Sequence, residues 1–345
     1  MTAPASHLST IEKILIIKLR AVGDVLLSTI VTKNLRLAFP SAVIHYLTEP
    51  PGREVVHLNP FIDDVLVFDK ETMSGAGLIR AVRRRRYDLV IDLFGNPRTA
   101  LVTWLSRASV RVGYRFRGRS YAYNVIAEPR GDHVHNTEFN LDALRALGID
   151  IPDRNIYFQF SRADRHFVDG FLTEAGLGTR GLACMNPGGG WYTKRWGIEQ
   201  FAALGDRIVE SRGMDVVLAW GPGEEDDALR IKGLMRYDAF VPPPTTLGQL
   251  GALLKRCKLL VTNDSGPMHI AAALGTPVLA IFGPTNPQLQ GPFGPNHALV
   301  RKEGLECLGC NLTSCPIGHP CMKTLTVDEV ADKFDELMER NIGRS

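Results

Sequence analysis

The chain is 345 residues long, and 45% of its residues are hydrophobic and 22% are charged. This composition excludes an intrinsically disordered chain and a polytopic membrane protein. Since the 40 Lys and Arg and the 37 Asp and Glu leave a net charge of only +3, no nucleic-acid partner is predicted. The length exceeds one typical core of about 150 residues, so two domains are expected.

The N-terminus is polar, and the first apolar run, residues 14–19, has the length of a strand rather than of a membrane span. We therefore predict no signal peptide and a cytoplasmic location. The six cysteines do not indicate a disulfide-stabilised scaffold in a chain of this length.

Apolar, β-branched runs of strand length alternate with helical patterns in the first half, which predicts a parallel sheet with helices on both faces. The longest helical pattern covers residues 25–39 and ends before Pro40. The predicted strands are residues 14–19, 42–47, 65–68, 89–93 and 110–114.

A second series begins after a linker near residues 155–162, with a helix predicted over residues 161–175. The predicted strands are 182–186, 216–220, 259–262 and 278–282, and the predicted helices are 198–210, 246–256 and 268–274. We therefore expect two Rossmann-like halves that face each other across a cleft, with ligands at the carboxyl ends of the strands.

A polar turn after the predicted strand 259–262 is the strongest indication of a ligand site. It contains Asp264 and Ser265, and Pro267 suits a first helical position with Ser265 or Gly266 as the cap. A helix that begins at the carboxyl edge of a sheet attracts phosphates, and His269 lies close enough to reach one. The alternative is a capped structural helix that binds nothing.

A glycine-rich loop follows the predicted strand 182–186. Its Gly188, Gly189 and Gly190 allow close backbone approach to a ligand, Lys194 supplies a cation suited to a diphosphate, and Trp196 is expected to pack beneath that lysine.

The third loop contains Gly221, Glu224 and Glu225, and an acidic pair there suits hydrogen bonds from sugar hydroxyls. Favourable placement of a Glu at a helix N-terminus explains either residue equally well.

In the first half, the first strand leads to Gly23 and Asp24. With only one glycine, this segment lacks the G-x-G-x-x-G pattern, which disfavours a dehydrogenase. Asp24 suits either a helix cap or a carboxylate that points into the cleft.

Residues 80–119 contain 11 Arg and only two acids, Asp88 and Asp92, so a basic patch is expected on the N-terminal half. It suits an anionic substrate or an anionic surface, although a solvated face explains residues 83–86 equally well. Near the C-terminus, Cys307, Cys310, Cys315 and Cys321 have spacings compatible with structural zinc or with two disulfides, and also with reduced, packed thiols.

Together, these loops resemble the heptosyltransferases of lipopolysaccharide core biosynthesis, glycosyltransferase family 9. The resemblance covers nearly the whole chain, through ILIIKLRAVGDVLLST, NPGGGWYTKRW and TNDSGPMHIAAALGTPVLAIFGPT. The tail CLGCNLTSCPIGHPCM is similar to that of members close to heptosyltransferase II.

The resemblance implies an α/β protein of GT-B fold with an N-terminal acceptor domain (residues 1–160) and a C-terminal nucleotide-sugar domain (161–325). The last helix (326–345) is expected to cross back to the N-terminal domain. The implied donor is ADP-L-glycero-β-D-manno-heptose and the implied acceptor is the lipid A–core region of lipopolysaccharide. Peripheral contact with the cytoplasmic face of the inner membrane is implied as well, and no cofactor is required for the chemistry.

The family's catalytic Asp falls on Asp24 and its phosphate-contacting Lys on Lys194. With the loops above, the expected donor-binding residues are Gly188, Gly189, Gly190, Lys194, Gly221, Glu225, Thr245, Leu247, Asp264, Ser265, Gly266 and His269. The expected acceptor-binding residues are Gly23, Arg98, Arg115 and Arg117, with Arg119 beside them. Some relatives carry threonines where this chain has Gly189 and Gly190, so backbone N–H groups are expected to replace their hydroxyls.

The implied reaction is glycosyl transfer with inversion. Asp24 would be the general base, a role that contributes about 10²–10⁴-fold. Lys194, His269 and the helix start at Gly266 would neutralise the departing ADP. Because a carboxylate at a helix N-terminus is a weakened base, Asp24 is also expected to stabilise positive charge at the sugar carbon. The alternatives are a GT-B-like nucleotide-sugar epimerase and a non-catalytic nucleotide-sugar-binding homologue.

Overall fold

The computed structural model describes residues 10–342, and the chain divides into two compact units, Met1–Phe158 and Gln159–Ser345. Within residues 10–342, we find no helix with the length and apolar character that a bilayer crossing requires.

The first unit is built on a six-stranded, fully parallel sheet with the strand order β3-β2-β1-β4-β5-β6. Its strands are β1 (Lys13–Ile17), β2 (Val43–Thr48), β3 (Asp64–Val67), β4 (Leu89–Asp92), β5 (Val110–Tyr114) and β6 (Val125–Ala127). Ile14 to Ile17 in β1 are fully buried, because a central parallel strand has helices over both faces.

The helices of the first unit connect consecutive strands and cover the sheet. They are α1 (Val22–Ser28), α2 (Ile30–Ala38), α3 (Pro50–Val56), α4 (Gly75–Arg85), α5 (Pro97–Ser106) and α6 (Asn136–Ala146), with short 3₁₀ turns at Ser120–Ala122 and Gly131–His133.

The single helix predicted over residues 25–39 is wrong in one respect, because the structure has two helices that meet at Thr29. The Thr29 hydroxyl donates to the Leu26 carbonyl at 2.7 Å and accepts the Tyr157 backbone N–H at 2.8 Å. Hydroxyl side chains that bond to the preceding turn compete with the regular helical pattern, which accounts for the interruption.

The second unit repeats this plan with a parallel sheet of order β12-β11-β10-β7-β8-β9. Its strands are β7 (Leu182–Asn186), β8 (Asp215–Leu218), β9 (Ala239–Phe240), β10 (Leu259–Asn263), β11 (Val278–Ile281) and β12 (His297–Val300). Its helices are α7 (Arg162–Glu174), α8 (Ile198–Arg212), α9 (Glu225–Leu234), α10 (Leu247–Arg256), α11 (Gly266–Ala273), α12 (Pro287–Gln290), α13 (Pro320–Lys323) and α14 (Val327–Ile342), with a 3₁₀ turn at Tyr192–Lys194. The predicted α/β class with two parallel sheets is confirmed.

The last helix, α14, packs within the second unit. The structure places α14 against α8, β11 and β12 of the second unit. Its Val330, Phe334 and Leu337 are at most 2% exposed and belong to the core of that unit. The apolar stripe of α14 therefore stabilises the unit that precedes it in the chain.

In each unit the chain passes from one side of the sheet to the other between two central strands, β1 and β4 in the first and β7 and β10 in the second. At such a switch point the loops after the two strands diverge to opposite faces and leave a crevice at the carboxyl edge, where ligands of doubly wound sheets bind. The carboxyl edges of the two sheets are therefore the candidate ligand-binding edges.

Candidate functional site

The crevice of the second unit contains a shielded ion pair between the loops after β7 and β10. Lys194 Nζ lies 2.7 Å from Asp264 Oδ2, and the two side chains are 14% and 6% exposed. Asp264 also accepts the Thr285 hydroxyl at 2.7 Å, and Lys194 Nζ lies 4.6 Å from the centre of the Trp191 ring. The sequence predicted both charged residues for the donor, and the structure places them in contact.

Asn263, the last residue of β10, fixes the path of the glycine loop. Its amide donates to the carbonyls of Pro187 at 2.7 Å and Gly188 at 3.1 Å and accepts the Trp196 backbone N–H at 3.1 Å. Since Asn263 is fully buried, these bonds set the backbone that carries Lys194. The sequence analysis assigned Asn263 no role.

Glu224 joins the glycine loop to the loop after β8. Its carboxylate accepts the backbone N–H groups of Gly189 at 3.0 Å and Gly221 at 3.1 Å, and it pairs with Arg195 at 3.1 Å. A Cβ at Gly188 would lie 2.1 Å from Glu224 Oε2, so this contact explains the absence of a side chain there. The residue named from the sequence, Glu225, is exposed at the start of α9.

Helix α11 begins at Gly266 with Ser265 as its N-cap, and Pro267 is its second residue. The Ser265 hydroxyl lies 3.0 Å from the Thr262 hydroxyl instead of capping the helix. The first-turn N–H groups of α11 have no intrahelical partners, so they present partial positive charge at the carboxyl edge of the sheet. His269 is 5% exposed within this helix.

The aromatic contact of Lys194 differs from the predicted one. Trp196 is 2% exposed, donates its indole N–H to the Leu325 carbonyl at 3.0 Å and packs edge-on against Phe201. Trp196 is therefore a core residue, whereas the half-buried Trp191 faces the Lys194 cation. Two tryptophans in one loop cannot be distinguished by spacing alone.

The other predicted donor residues lie on the same sheet edge or near it. Gly190 is exposed, with open space around its Cβ position. Thr245 and Leu247 flank Thr246, which caps α10 by accepting the Gln249 N–H at 3.1 Å.

In the first unit, Asp24 is the third residue of α1, directly after the central strand β1. Its carboxylate accepts the Ala21 backbone N–H at 3.2 Å, as a capping side chain does, and it remains partly accessible, as does Gly23. Both readings of Asp24, cap and accessible carboxylate, are therefore compatible with its position.

Lys18 is a charged residue of this edge that the sequence analysis missed. Its ammonium group donates to the Leu93 carbonyl at 3.1 Å and lies 5.9 Å from the Phe94 ring centre. Burial lowers the pKa of Lys18, and the carboxylates of Asp24 and Asp92 act in the opposite direction. A lysine inside the apolar run ILIIKL was the signal that could have identified it.

Asp92 is fully buried at the end of β4. It accepts the Tyr123 hydroxyl and the Gly95 N–H, both at 2.8 Å, and burial raises its pKa. These bonds hold the loop after β4.

The arginines predicted for the acceptor lie near the carboxyl edge of the first sheet. Arg98, in the first turn of α5, lies over the Phe68 ring at 5.2 Å. Arg115 pairs with Glu128 at 2.7 Å, Arg117 is exposed, and Arg119 donates to the Gly95 carbonyl at 2.5 Å.

The zinc and disulfide expectations for the tail cysteines are not supported. All six cysteines are free thiols, and residues 10–342 contain no group of three or more His, Cys, Asp or Glu arranged to hold a metal ion. The four tail thiols line one small cavity of about 70 Å³. Burial and the other three cysteines raise the pKa of Cys321.

The tail also supports the glycine loop. Thr193 donates its hydroxyl to the Leu312 carbonyl at 2.8 Å, and the His319 ring hydrogen-bonds the Thr193 carbonyl. The cysteine segment therefore holds the turn that carries Lys194.

Comparison with known proteins identifies relatives over most of the chain. The family model described as "Glycosyltransferase family 9 (heptosyltransferase)" matches residues 76–319. A lipopolysaccharide heptosyltransferase 3 from Escherichia coli is 27% identical, over 79% of this chain and 84% of its own length. A family 9 glycosyl transferase structure from Veillonella parvula DSM 2008 has a TM-score of 0.83 at 25% identity, covering 95% of this chain and 97% of that one. The E. coli heptosyltransferase WaaC with ADP has a TM-score of 0.73 at 24% identity, covering 94% and 99%.

Proposed function

The chain belongs to glycosyltransferase family 9, the heptosyltransferases of lipopolysaccharide core biosynthesis, and from this premise we propose the reaction that it catalyses. It is a glycosyltransferase of GT-B fold. The proposed reaction moves a heptose, with inversion, from ADP-L-glycero-β-D-manno-heptose to a hydroxyl of the lipopolysaccharide inner core. The observation that carries the proposal is the shielded Lys194–Asp264 pair at the switch point of the second sheet.

The second unit supplies the charges that an ADP leaving group needs. A diphosphate in this crevice would meet the Lys194 ammonium and the N–H groups at the start of α11. Donors that are already in place stabilise the negative charge that develops when the sugar–phosphate bond breaks. Asp264, beside Lys194, suits hydrogen bonds from heptose hydroxyls. A relative with ADP supports this choice of nucleotide.

The first unit supplies the carboxylate. In the proposed step, the acceptor hydroxyl oxygen bonds to the anomeric carbon of the heptose as its proton passes to Asp24. The bond from that carbon to the β-phosphate oxygen breaks, and its electron pair leaves with ADP. Asp24 would also stabilise the positive charge that develops at the sugar ring.

The acceptor is lipid-linked, so we propose that the enzyme works at the cytoplasmic face of the inner membrane. Arg98, Arg115 and Arg117 are the proposed contacts for its anionic groups. Arg115 already binds a carboxylate, that of Glu128, so its guanidinium is oriented for an anion.

The test compares Asp24→Ala and Asp24→Asn with Asp64→Asn, an exposed aspartate at the start of β3 on the opposite sheet edge. We expect both Asp24 variants to lose transfer by at least about 100-fold and to bind ADP within a few-fold of wild type. Asp64→Asn should behave like wild type. ADP release from donor on a panel of truncated core acceptors measures transfer, and calorimetry measures ADP binding.

Three outcomes would contradict the proposal. Loss of ADP binding in both Asp24 variants would make Asp24 a structural residue. Conversion of the donor without any acceptor would favour the epimerase alternative, and ADP binding without turnover on any acceptor would favour a non-catalytic homologue.

A further inference from the structure

The outer face of helices α4 and α5 in the first unit carries basic and aromatic side chains that the packing of the core does not require. Both helices run from the carboxyl edge to the amino edge of the parallel sheet, so their last turns lie at the same edge. Their inner sides share one core cluster, which includes Leu78, Val82 and Val102. The opposite sides face solvent, and we call them the α4–α5 face.

The α4–α5 face is strongly basic. Neither α4 (GAGLIRAVRRR) nor α5 (PRTALVTWLS) contains an acidic residue. Residues 80–119 contain two acids. Asp92 is fully buried, and Asp88 accepts the backbone N–H groups of Glu12 and Lys13 at 3.0 and 2.9 Å. Besides Arg98 in the first turn of α5, the exposed arginines are Arg80, Arg83, Arg84, Arg86 and Arg107. None of these five pairs with a carboxylate of the described residues.

Aromatic and aliphatic side chains accompany these arginines. Trp104 is 49% exposed, Tyr121 is 55% exposed, and their rings pack edge-on at 5.9 Å. Leu101, one turn before Trp104 on α5, is 38% exposed. Cations at a helix C-terminus can be explained by the helix dipole, but exposed rings cannot. Arg with Trp and Tyr is the combination found where a protein meets the interface of a bilayer.

We propose that the α4–α5 face docks on an anionic phospholipid surface. The arginines complement the negative headgroups, and Trp104 with Tyr121 inserts at headgroup depth. A sugar acceptor is a poorer occupant for the last turns of these helices, because they lie at the amino edge of the sheet whereas Asp24 lies at the carboxyl edge. The inference rests on the proposed function only for its purpose, which is to bring the enzyme to a lipid-linked acceptor.

The charge contribution is tested by flotation of the full chain with phosphatidylcholine vesicles, with and without phosphatidylglycerol, over a salt series. We expect binding only with phosphatidylglycerol and a decrease with salt. Each arginine near an anionic surface contributes roughly fivefold, so Arg83→Gln/Arg84→Gln should lower the partition coefficient about 30-fold. The matched control, Arg230→Gln/Lys232→Gln, removes the same charge from exposed positions of α9 in the second unit and should change little.

The aromatic contribution is tested by tryptophan fluorescence with lipids that carry brominated acyl chains. Trp104 is one of four tryptophans, and its insertion predicts quenching that Trp104→Phe abolishes. Because Trp104 is half-exposed, this variant is expected to keep its fold, which circular dichroism checks. The proposal is overturned if the two charge-removing double variants weaken binding equally, or if the chain binds vesicles of phosphatidylcholine without phosphatidylglycerol. It is also overturned if the quenching persists in Trp104→Phe.

Turnover on a deacylated core acceptor in solution separates this proposal from the proposed function. The Arg83→Gln/Arg84→Gln variant should match wild type on that acceptor and fall behind on acceptor embedded in vesicles. If wild type turns over the soluble acceptor but binds no vesicle, the docking proposal fails alone. If wild type binds vesicles but never turns over, the proposed reaction fails alone.

Discussion

The ion pair between Lys194 and Asp264 allows the structural and the donor-binding roles of one lysine to be separated. The perturbations are Lys194→Met, Asp264→Asn and the double variant. Both side chains are largely shielded from water, at 14% and 6% exposure, so removal of one partner leaves a buried charge without its counter-ion. Breaking a fully buried pair costs about 3–5 kcal/mol, whereas replacing both partners is often close to neutral.

The structure sets where in that range each variant falls. Lys194→Met leaves the Asp264 carboxylate with the hydrogen bond from the Thr285 hydroxyl but without its counter-ion, and we expect a loss of about 3 kcal/mol in the free energy of unfolding. Asp264→Asn leaves the Lys194 cation against the Trp191 ring, which offsets part of the cost, and the expected loss is about 2 kcal/mol. The double variant should lose no more than about 2 kcal/mol, a coupling of about 3 kcal/mol.

Donor binding should follow a different pattern. A charge-assisted hydrogen bond to phosphate contributes about 1.5–3 kcal/mol, so both variants that lack Lys194 should bind ADP roughly 10–150-fold more weakly. The double variant should therefore regain part of the stability that the single variants lose, but it should not regain ADP affinity. Urea denaturation measures stability, and calorimetry measures ADP affinity. The control pair is Arg207 and Asp328, whose side chains are 44% and 79% exposed, and its coupling should stay below about 1 kcal/mol.

Two results would refute this reasoning. If the stability losses of Lys194→Met and Asp264→Asn add up to the loss of the double variant, the pair contributes no shielded interaction. An unchanged ADP affinity in Lys194→Met would remove Lys194 from the donor site.

Three further predictions follow from single positions. Lys18→Met should lower transfer at least about tenfold with ADP affinity unchanged, because the crevice of the first sheet loses the cation that neighbours Asp24; transfer equal to that of wild type would contradict this. Gly188→Ala should displace the glutamate that bridges the two loops and destabilise the second unit by about 1–3 kcal/mol in thermal denaturation, whereas Gly190→Ala, which has open space, should not. Burial lowers the pKa of His297 to about 4, so the unfolded chain, with a His pKa near 6.5, takes up the proton first as pH falls. Stability should therefore decrease between about pH 6.5 and 4, by up to about 3 kcal/mol, and His297→Gln should remove this part of the dependence in denaturation curves.

Several elements were predictable from the sequence because their signals are local. The central strands β1, β7 and β10 contain the continuous apolar runs ILII, LACM and LLV, which are typical of strands buried on both faces. Polar and glycine-rich segments directly after these strands located the loops of the candidate site. The division of one predicted helix at Thr29 was missed: the bond of its hydroxyl to the Leu26 carbonyl is local, but the bond that it accepts from the distant Tyr157 backbone is set by the tertiary structure.

Contacts within the site depended on tertiary structure. Local sequence patterns were enough to predict that Lys194 and Asp264 follow strands. The two charges meet because the strand order makes β7 and β10 neighbours. The sheet order also decides that Trp191, and not Trp196, contacts Lys194. It likewise places Glu224 between two loops and brings Lys18 close to Asp24. Alternation and run length describe one segment at a time, whereas the partner of a side chain depends on which segments the sheet brings side by side. That pairing is set by the packing of the whole unit, and so only the folded chain specifies it.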